Sequence, residues 1–182
     1  MSQRMSQTLD DAIVSLASAG LTELVSPPVN AKVAGRLPEI FPLVEKEIPA
    51  GGHRECVLAG LWVLAGELDR SHQICQEIPG SLGAAWHAVV HRMEGDFWNS
   101  KYWWKRADGL HWQGFAERVR KELPAMGEVA GLFHSGRYDP AGFVDLVEAE
   151  HERADAVLRG RLLTLQRLEW MSLFEASRRG AK

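Results

Sequence analysis

Hydrophobic positions recur along this chain at steps of three and four, the spacing that lines up side chains on one face of an α-helix. Over residues 6–20, Leu9, Ile13, Leu16 and Ala17 keep that spacing up to Gly20 and predict a first amphipathic helix. Prolines at 27, 28, 38, 42 and 49 then come too often for long regular structure. The expectation for residues 21–52 is an ordered, wrapping connection, with room for a short helix begun by Pro38. Further on, residues 114–123 read as a helix charged on one side and stopped by Pro124, and a short element follows up to Tyr138. Asp139 before Pro140 is a helix start, a cap and a first-turn proline, and Phe143, Val144, Leu146 and Val147 continue it. Gly160 is a candidate break. Leu162, Leu165, Leu168 and Phe174 give residues 161–178 the stripe of a final helix packed across the rest.

Residues 53–108 carry the most specific pattern, two stretches that superpose at an offset of 29 positions. Ala59 maps to Ala88, Gly66 to Gly95, Leu68 to Phe97, Ser71 to Ser100, Cys75 to Trp104 and Ile78 to Ala107. Each copy predicts helix, tight turn, helix. At these positions the chain resembles a tetratricopeptide repeat, and the second copy fits best through Ala88, Gly95, Asp96, Phe97, Ser100, Trp104 and Ala107. In that pattern small residues let helices approach where bulky ones interlock. The offset is shorter than the repeat's usual length of about 34. His87 and His91 also occupy slots that are usually apolar or aromatic. Two copies are fewer than the three or so an independent solenoid needs, so the other helices are expected to cap them. The expected fold is one all-α domain over residues 1–182, a helical bundle with two such hairpins over 53–108 and C-terminal helices over 139–178.

Composition narrows the function classes. Apolar residues at 46% and charged residues at 25% are an ordinary globular mixture. A net charge of -3 gives no field that would draw nucleic acid, so nucleic acid is not an expected partner. No run approaches the ~20 apolar residues of a spanning helix, and Asp10 and Asp11 interrupt the first apolar stretch. The reading is a cytoplasmic chain without a membrane. Two cysteines, Cys56 and Cys75, are too few for a disulfide framework and are expected as thiols, although facing helices would allow a bridge.

The chemistry-bearing positions converge on one stretch. His87, His91 and Glu94, at steps of four and three, share a helical face within reach of one divalent metal ion, with His72 on the preceding helix able to approach. Three protein ligands and an open position describe a catalytic metal site, with hydrolysis as the reaction class. The structural alternative is two core histidines hydrogen-bonded to Asp69, Glu94 or Asn99. The glutamate base of an HExxH metalloprotease is missing, since Ala88 follows His87. Glu148 and His151 form a single ExxH pair where a diiron bundle needs two, so Glu148, Glu150, His151 and Glu152 read as a solvated face. Cys75 beside His72 is a further nucleophile candidate. Trp98, Trp103, Trp104 and Trp112 cluster with Tyr102, Lys101, Lys105 and Arg106, which reads as packing with long basic side chains over it, any exposed member suiting a protein or small-ligand groove.

Taken together, Asp69, Ser71, His72, Trp86, His87, His91, Arg92, Glu94, Gly95, Asp96, Asn99, Tyr102 and Trp103, then Tyr138, Asp139, Phe143, Asp145, Leu146, Glu169 and Trp170, resemble a family of uncharacterised bacterial proteins. The resemblance implies a domain and no activity. The leading expectation is therefore a non-enzymatic helical-repeat module that binds a protein or peptide partner, and the alternative is a small metal- or ligand-dependent site of hydrolase type built on His87, His91 and Glu94. The site residues carried with them are Asp69, His72, His87, His91, Glu94, Asn99 and Tyr102.

Overall fold

A computed structural model describes residues 8–17 and 19–179, without the side chains of residues 14 and 15. The chain is an all-α bundle. Its helices are α1 (Leu9–Ala17), α2 (Ala31–Ala34), α3 (Leu37–Glu47), α4 (Gly52–Leu64), α5 (Leu68–Cys75), α6 (Ser81–Glu94), α7 (Phe97–Arg106), α8 (Phe115–Glu122), α9 (Pro140–Arg153) and α10 (Ala156–Arg179). A 3-10 helix over Gly127–Leu132 leads into a two-stranded antiparallel ribbon, β1 (Phe133–His134) and β2 (Arg137–Tyr138). The expected first helix is present as α1; the rest of its predicted span includes residues 6, 7 and 18, which lie outside the described residues.

Two pairs of helices carry the same closing devices 29 residues apart. Gly66 ends α4 at φ +72° and Gly95 ends α6 at φ +84°, the left-handed backbone that glycine adopts without a Cβ clash. Each closure is a Schellman motif. Gly66 N–H and Glu67 N–H bond Val63 O and Trp62 O, as Gly95 N–H and Asp96 N–H bond Arg92 O and His91 O. In the same register, Ser71 Oγ donates to Ala59 O at 2.9 Å and Ser100 Oγ donates to Ala88 O at 2.7 Å. These hydroxyls fasten α5 to α4 and α7 to α6 at their small-residue contacts. α6 is the central helix, buried from Gly83 to Met93 and packed by α4, α5, α7 and α10.

The proline-rich segment departs from expectation. Its first part does wrap: Ser26 N–H reaches Met93 O and Asn30 N–H reaches Ala65 O, satisfying carbonyls at the ends of α6 and α4. Its second part is helical, since α3 runs eleven residues through Pro42. Leu37, Ile40 and Val44 are buried on one face of α3, and their burial outweighs the hydrogen bond that Pro42 removes. Gly160 likewise does not divide the C-terminal segment, and α10 is continuous for 24 residues.

Apolar side chains form two clusters. The larger joins α1, α3, α4, α6 and the C-terminal half of α10 through Trp86, Trp170, Leu173 and Phe174. The smaller gathers Phe115, Val119, Leu132, Tyr138, Phe143 and Val147 around Leu158, Leu162, Leu165 and Leu168 of α10. No helix among the described residues is long and apolar enough to cross a membrane.

Candidate functional site

The histidine cluster forms where α5 crosses the C-terminal half of α6. Helical periodicity stacks His87 and His91 one turn apart, with ring centroids 4.7 Å apart and planes 20° from parallel. His72 enters from α5 edge-on to both, its centroid 4.6 Å from His87 and 4.8 Å from His91. The three imidazoles thus make a nearly equilateral triangle, and one ligand atom from each lies within 4.8 Å of the others. Trp103 of α7 stacks on the outer face of His87 at 4.1 Å. His87 and His91 are buried, whereas the His72 side chain keeps 30% of its surface and is the approach from solvent.

Carboxylates stand behind the rings. Glu94 Oε1 accepts from His72 Nδ1 at 3.3 Å, and its Oε2 lies 3.4 Å from His91 Nδ1. Asp96, which caps α7 through Asn99 N–H, places Oδ2 3.5 Å from the same His91 nitrogen. Both contacts to His91 are close enough for an ion pair but not aligned as hydrogen bonds, and among the described residues His87 Nδ1 and His91 Nδ1 have no hydrogen-bond partner. With His72 Nδ1–H on Glu94, His72 Nε2 presents a lone pair. The 2.8 Å contact between His72 Nε2 and His87 Nε2 then needs its proton on His87.

Burial, and after it the neighbouring His72 and His91 charges, push the His87 imidazole down to about 4, so it is neutral at physiological pH. Burial raises the Glu94 carboxyl, but the close His91 imidazole and the hydrogen bond and charge of His72 outweigh it and hold Glu94 below its usual range. The Asn99 side-chain hydrogen bond, ahead of the histidine charges, lowers Asp96. A neutral imidazole beside two ionised carboxylates is an environment that favours a cation.

Of the residues singled out from sequence, His72, His87, His91 and Glu94 come together. Among them the nitrogens that share one centre belong to the three histidines, with Glu94 behind His72 and His91. Asn99 acts one step removed, through Asp96. Asp69 is exposed at the start of α5 and bonds none of the histidines. Tyr102 lies on the outer side of α7, stacked on Trp98 at 6.0 Å and accepting from Arg106 Nη1. Cys75 is a free buried thiol whose Sγ–H points to the His72 carbonyl at 3.5 Å, not to an imidazole, and Cys56 is free as well. The acidic face of α9 is only partly solvated: Glu150 is buried 3.6 Å from Arg159, and Glu148 pairs with Lys101.

Two features escape sequence reasoning. Asp96 reads there only as a turn residue, although its position directly after the closing Gly95 is the signal that its carboxylate returns toward His91. The other is a buried Arg92, Glu169 and Tyr138 cluster, whose members lie far apart in sequence. Arg92 Nη2 meets Glu169 Oε2 at 2.5 Å, Tyr138 donates to Glu169 Oε1 at 2.8 Å, and the guanidinium lies 4.2 Å over the Phe143 ring.

No family model, curated protein or solved structure matches the chain.

Proposed function

We propose that this chain is a metalloprotein that holds one divalent first-row transition-metal ion on His72, His87 and His91, with Glu94 and Asp96 as outer carboxylates. The observation that carries this reading is the convergence of three imidazoles from two helices on one centre backed by negative charge. Imidazole suits zinc, copper, iron and nickel, and a carboxylate on the far ring nitrogen fixes the tautomer that points a lone pair at the ion. An ion bonded to both facing nitrogens at about 2.0–2.1 Å needs them roughly 3.3 Å apart. His72 and His87 would therefore part slightly from 2.8 Å as the ion replaced the shared proton. Three neutral protein ligands leave a position for water, and the chemistry such an ion supplies is Lewis-acid activation for hydrolysis.

Elemental analysis of protein purified without chelator or affinity metal tests the reading, together with cobalt(II) titration followed by visible absorption. One equivalent of metal, lost in a folded His72→Ala variant, is the expected result. Sub-stoichiometric metal and no saturable cobalt band would overturn it.

A second reading, the partner-binding helical-repeat module with its tetratricopeptide likeness, is favoured by one observation. Trp98 is 72% exposed and stacked on Tyr102, an aromatic pair open to solvent on α7. Selection from a displayed peptide library should then yield binders that lose affinity with Trp98→Ala; binders indifferent to that change would sink this version.

A further inference from the structure

A separate feature lies around the C-terminal end of α7. Successive residues of a helix point about 100° apart, so Trp103 covers His87 while Trp104 faces elsewhere, into the wall of a cavity of about 800 Å³. The cavity opens between the end of α7, the connection over residues 107–113, β2 and the start of α9. Its volume is in the range of small-molecule sites, about 300–1,000 Å³.

Three observations define what would fit. Trp104, Trp112 and Tyr138 form an aromatic wall, with Trp112 at 6.2 Å from Trp104 and 4.9 Å from Tyr138 between ring centroids. The Trp104 indole N–H has no acceptor among the described residues, although the residue is 5% exposed. The other two buried indoles are satisfied, Trp86 by Ser177 Oγ and Trp170 by Gly60 O. Buried indole N–H groups ordinarily find a partner, so Trp104 is an unmet donor enclosed behind the cavity wall, where its signal reports on what packs there. Finally, Lys105 and Arg137 line the cavity, are exposed, and form no ion pair among the described residues. Asp108 is the only acid of the lining, and its Oδ1 is engaged by Gly109 N–H at 2.8 Å.

We infer that this cavity binds a small anion with a planar, unsaturated body, of the aromatic carboxylate class. The ring packs on the half-buried Trp112, beside the Trp104 indole, and the anionic group meets Lys105 and Arg137. The inference does not rest on a metal at the histidines.

Nuclear magnetic resonance of the full chain labelled with nitrogen-15 tests it, with the Trp104 indole signal assigned by Trp104→Phe. The probes are 2-naphthoate, its cationic counterpart 2-naphthylmethylammonium, and acetate, an anion without a ring. The expected result is a saturable shift of the Trp104 indole signal with 2-naphthoate, no saturable shift with the other two, and binding about fivefold weaker in Lys105→Ala/Arg137→Ala. That double variant changes exposed side chains only, so its fold is retained. Equal binding of the ammonium probe, affinity unchanged in the double variant, or no saturation by 2-naphthoate in the millimolar range would each overturn the inference. Repeating the titration in His72→Ala separates it from the metal reading, because the shift should survive there.

Discussion

Glu94 holds two imidazoles that come from different helices, one carboxylate oxygen 3.3 Å from His72 Nδ1 and the other 3.4 Å from His91 Nδ1. Glu94→Gln keeps the size of the side chain but removes the charge that favours a metal-directed Nε2 on both rings. Metal affinity should fall about 10–100-fold, the usual effect of losing an outer carboxylate. Competition with a chromophoric chelator measures it, and unchanged affinity would remove Glu94 from the site. The two thiols make a contrasting prediction. Burial pushes Cys56 and Cys75 up to about 12, and only the thiolate is nucleophilic. Neither should react with a disulfide reagent at pH 8 until denaturant is added. Because the folded value lies above the unfolded value near 9, the folded state keeps protons that the unfolded state releases. Their stabilisation is complete below pH 9 and fades as pH rises toward 12, by about 4 kcal/mol per thiol over the whole span and about half of that by pH 10.5. Urea midpoints from pH 8 to 10.5 should fall less steeply in Cys56→Ala than in the parent chain. At this scale the face shared by His87, His91 and Glu94 was legible, because helical periodicity alone sets it. The positions of His72 and Asp96 beside it depend on how one hairpin closes on the next, which spacing along one helix does not encode.

Helices that end on a left-handed glycine are the ones the sequence marks clearly, as Gly66 and Gly95 do for α4 and α6. The helix through Pro42 is marked poorly, because proline's local penalty is visible in the sequence while the burial of Leu37, Ile40 and Val44 that offsets it is a tertiary fact. The two-residue strands β1 and β2 are too short to show a period of two. Gly160 teaches the same lesson within α10, where Leu158, Leu162, Leu165 and Leu168 are buried on both sides of it. A Cβ at Gly160 meets nothing within 4 Å, so Gly160→Ala should stabilise the protein by about 0.5–1 kcal/mol through helix propensity. Gly60 of α4 is the opposite case. A Cβ there would sit 2.8 Å from the Trp86 ring and 3.3 Å from Phe174, in the packed junction where Trp170 Nε1 also donates to Gly60 O. Gly60→Ala should cost about 1–3 kcal/mol by overpacking. Chemical denaturation of the two variants should move in opposite directions, and a stabilised Gly60→Ala would mean that the junction yields more easily than its contacts indicate.

Across the whole molecule, the two apolar clusters meet along α10, and the buried ion pair sits at their seam. Leu168 packs in the smaller cluster and Trp170 in the larger, with Glu169 between them, while Arg92 adjoins Met93 of the larger cluster and covers Phe143 of the smaller. Burial, reinforced by the Glu169 charge, holds the Tyr138 phenol well above its usual range, so Tyr138 remains a hydrogen-bond donor to Glu169. The pair is not fully satisfied, since Arg92 Nε and Nη1 have no partner among the described residues. Desolvation of two charges in an incompletely bonded pair argues against a large net stabilisation, but removal of one member strands the other. Glu169→Ala should therefore cost about 3–5 kcal/mol, whereas Arg92→Met/Glu169→Leu/Tyr138→Phe should be within about 1 kcal/mol of the parent chain or more stable. Denaturant unfolding of the single and triple variants gives both numbers. If the single variant loses less than about 1 kcal/mol, the buried guanidinium is compensated by Phe143 and its surroundings without Glu169. If the triple variant is as unstable as the single one, the polar cluster itself joins the hairpin helices to α9 and α10. Loss of one cooperative transition in the triple variant would carry this further, since the two apolar clusters would then unfold separately once the charged seam between them is gone.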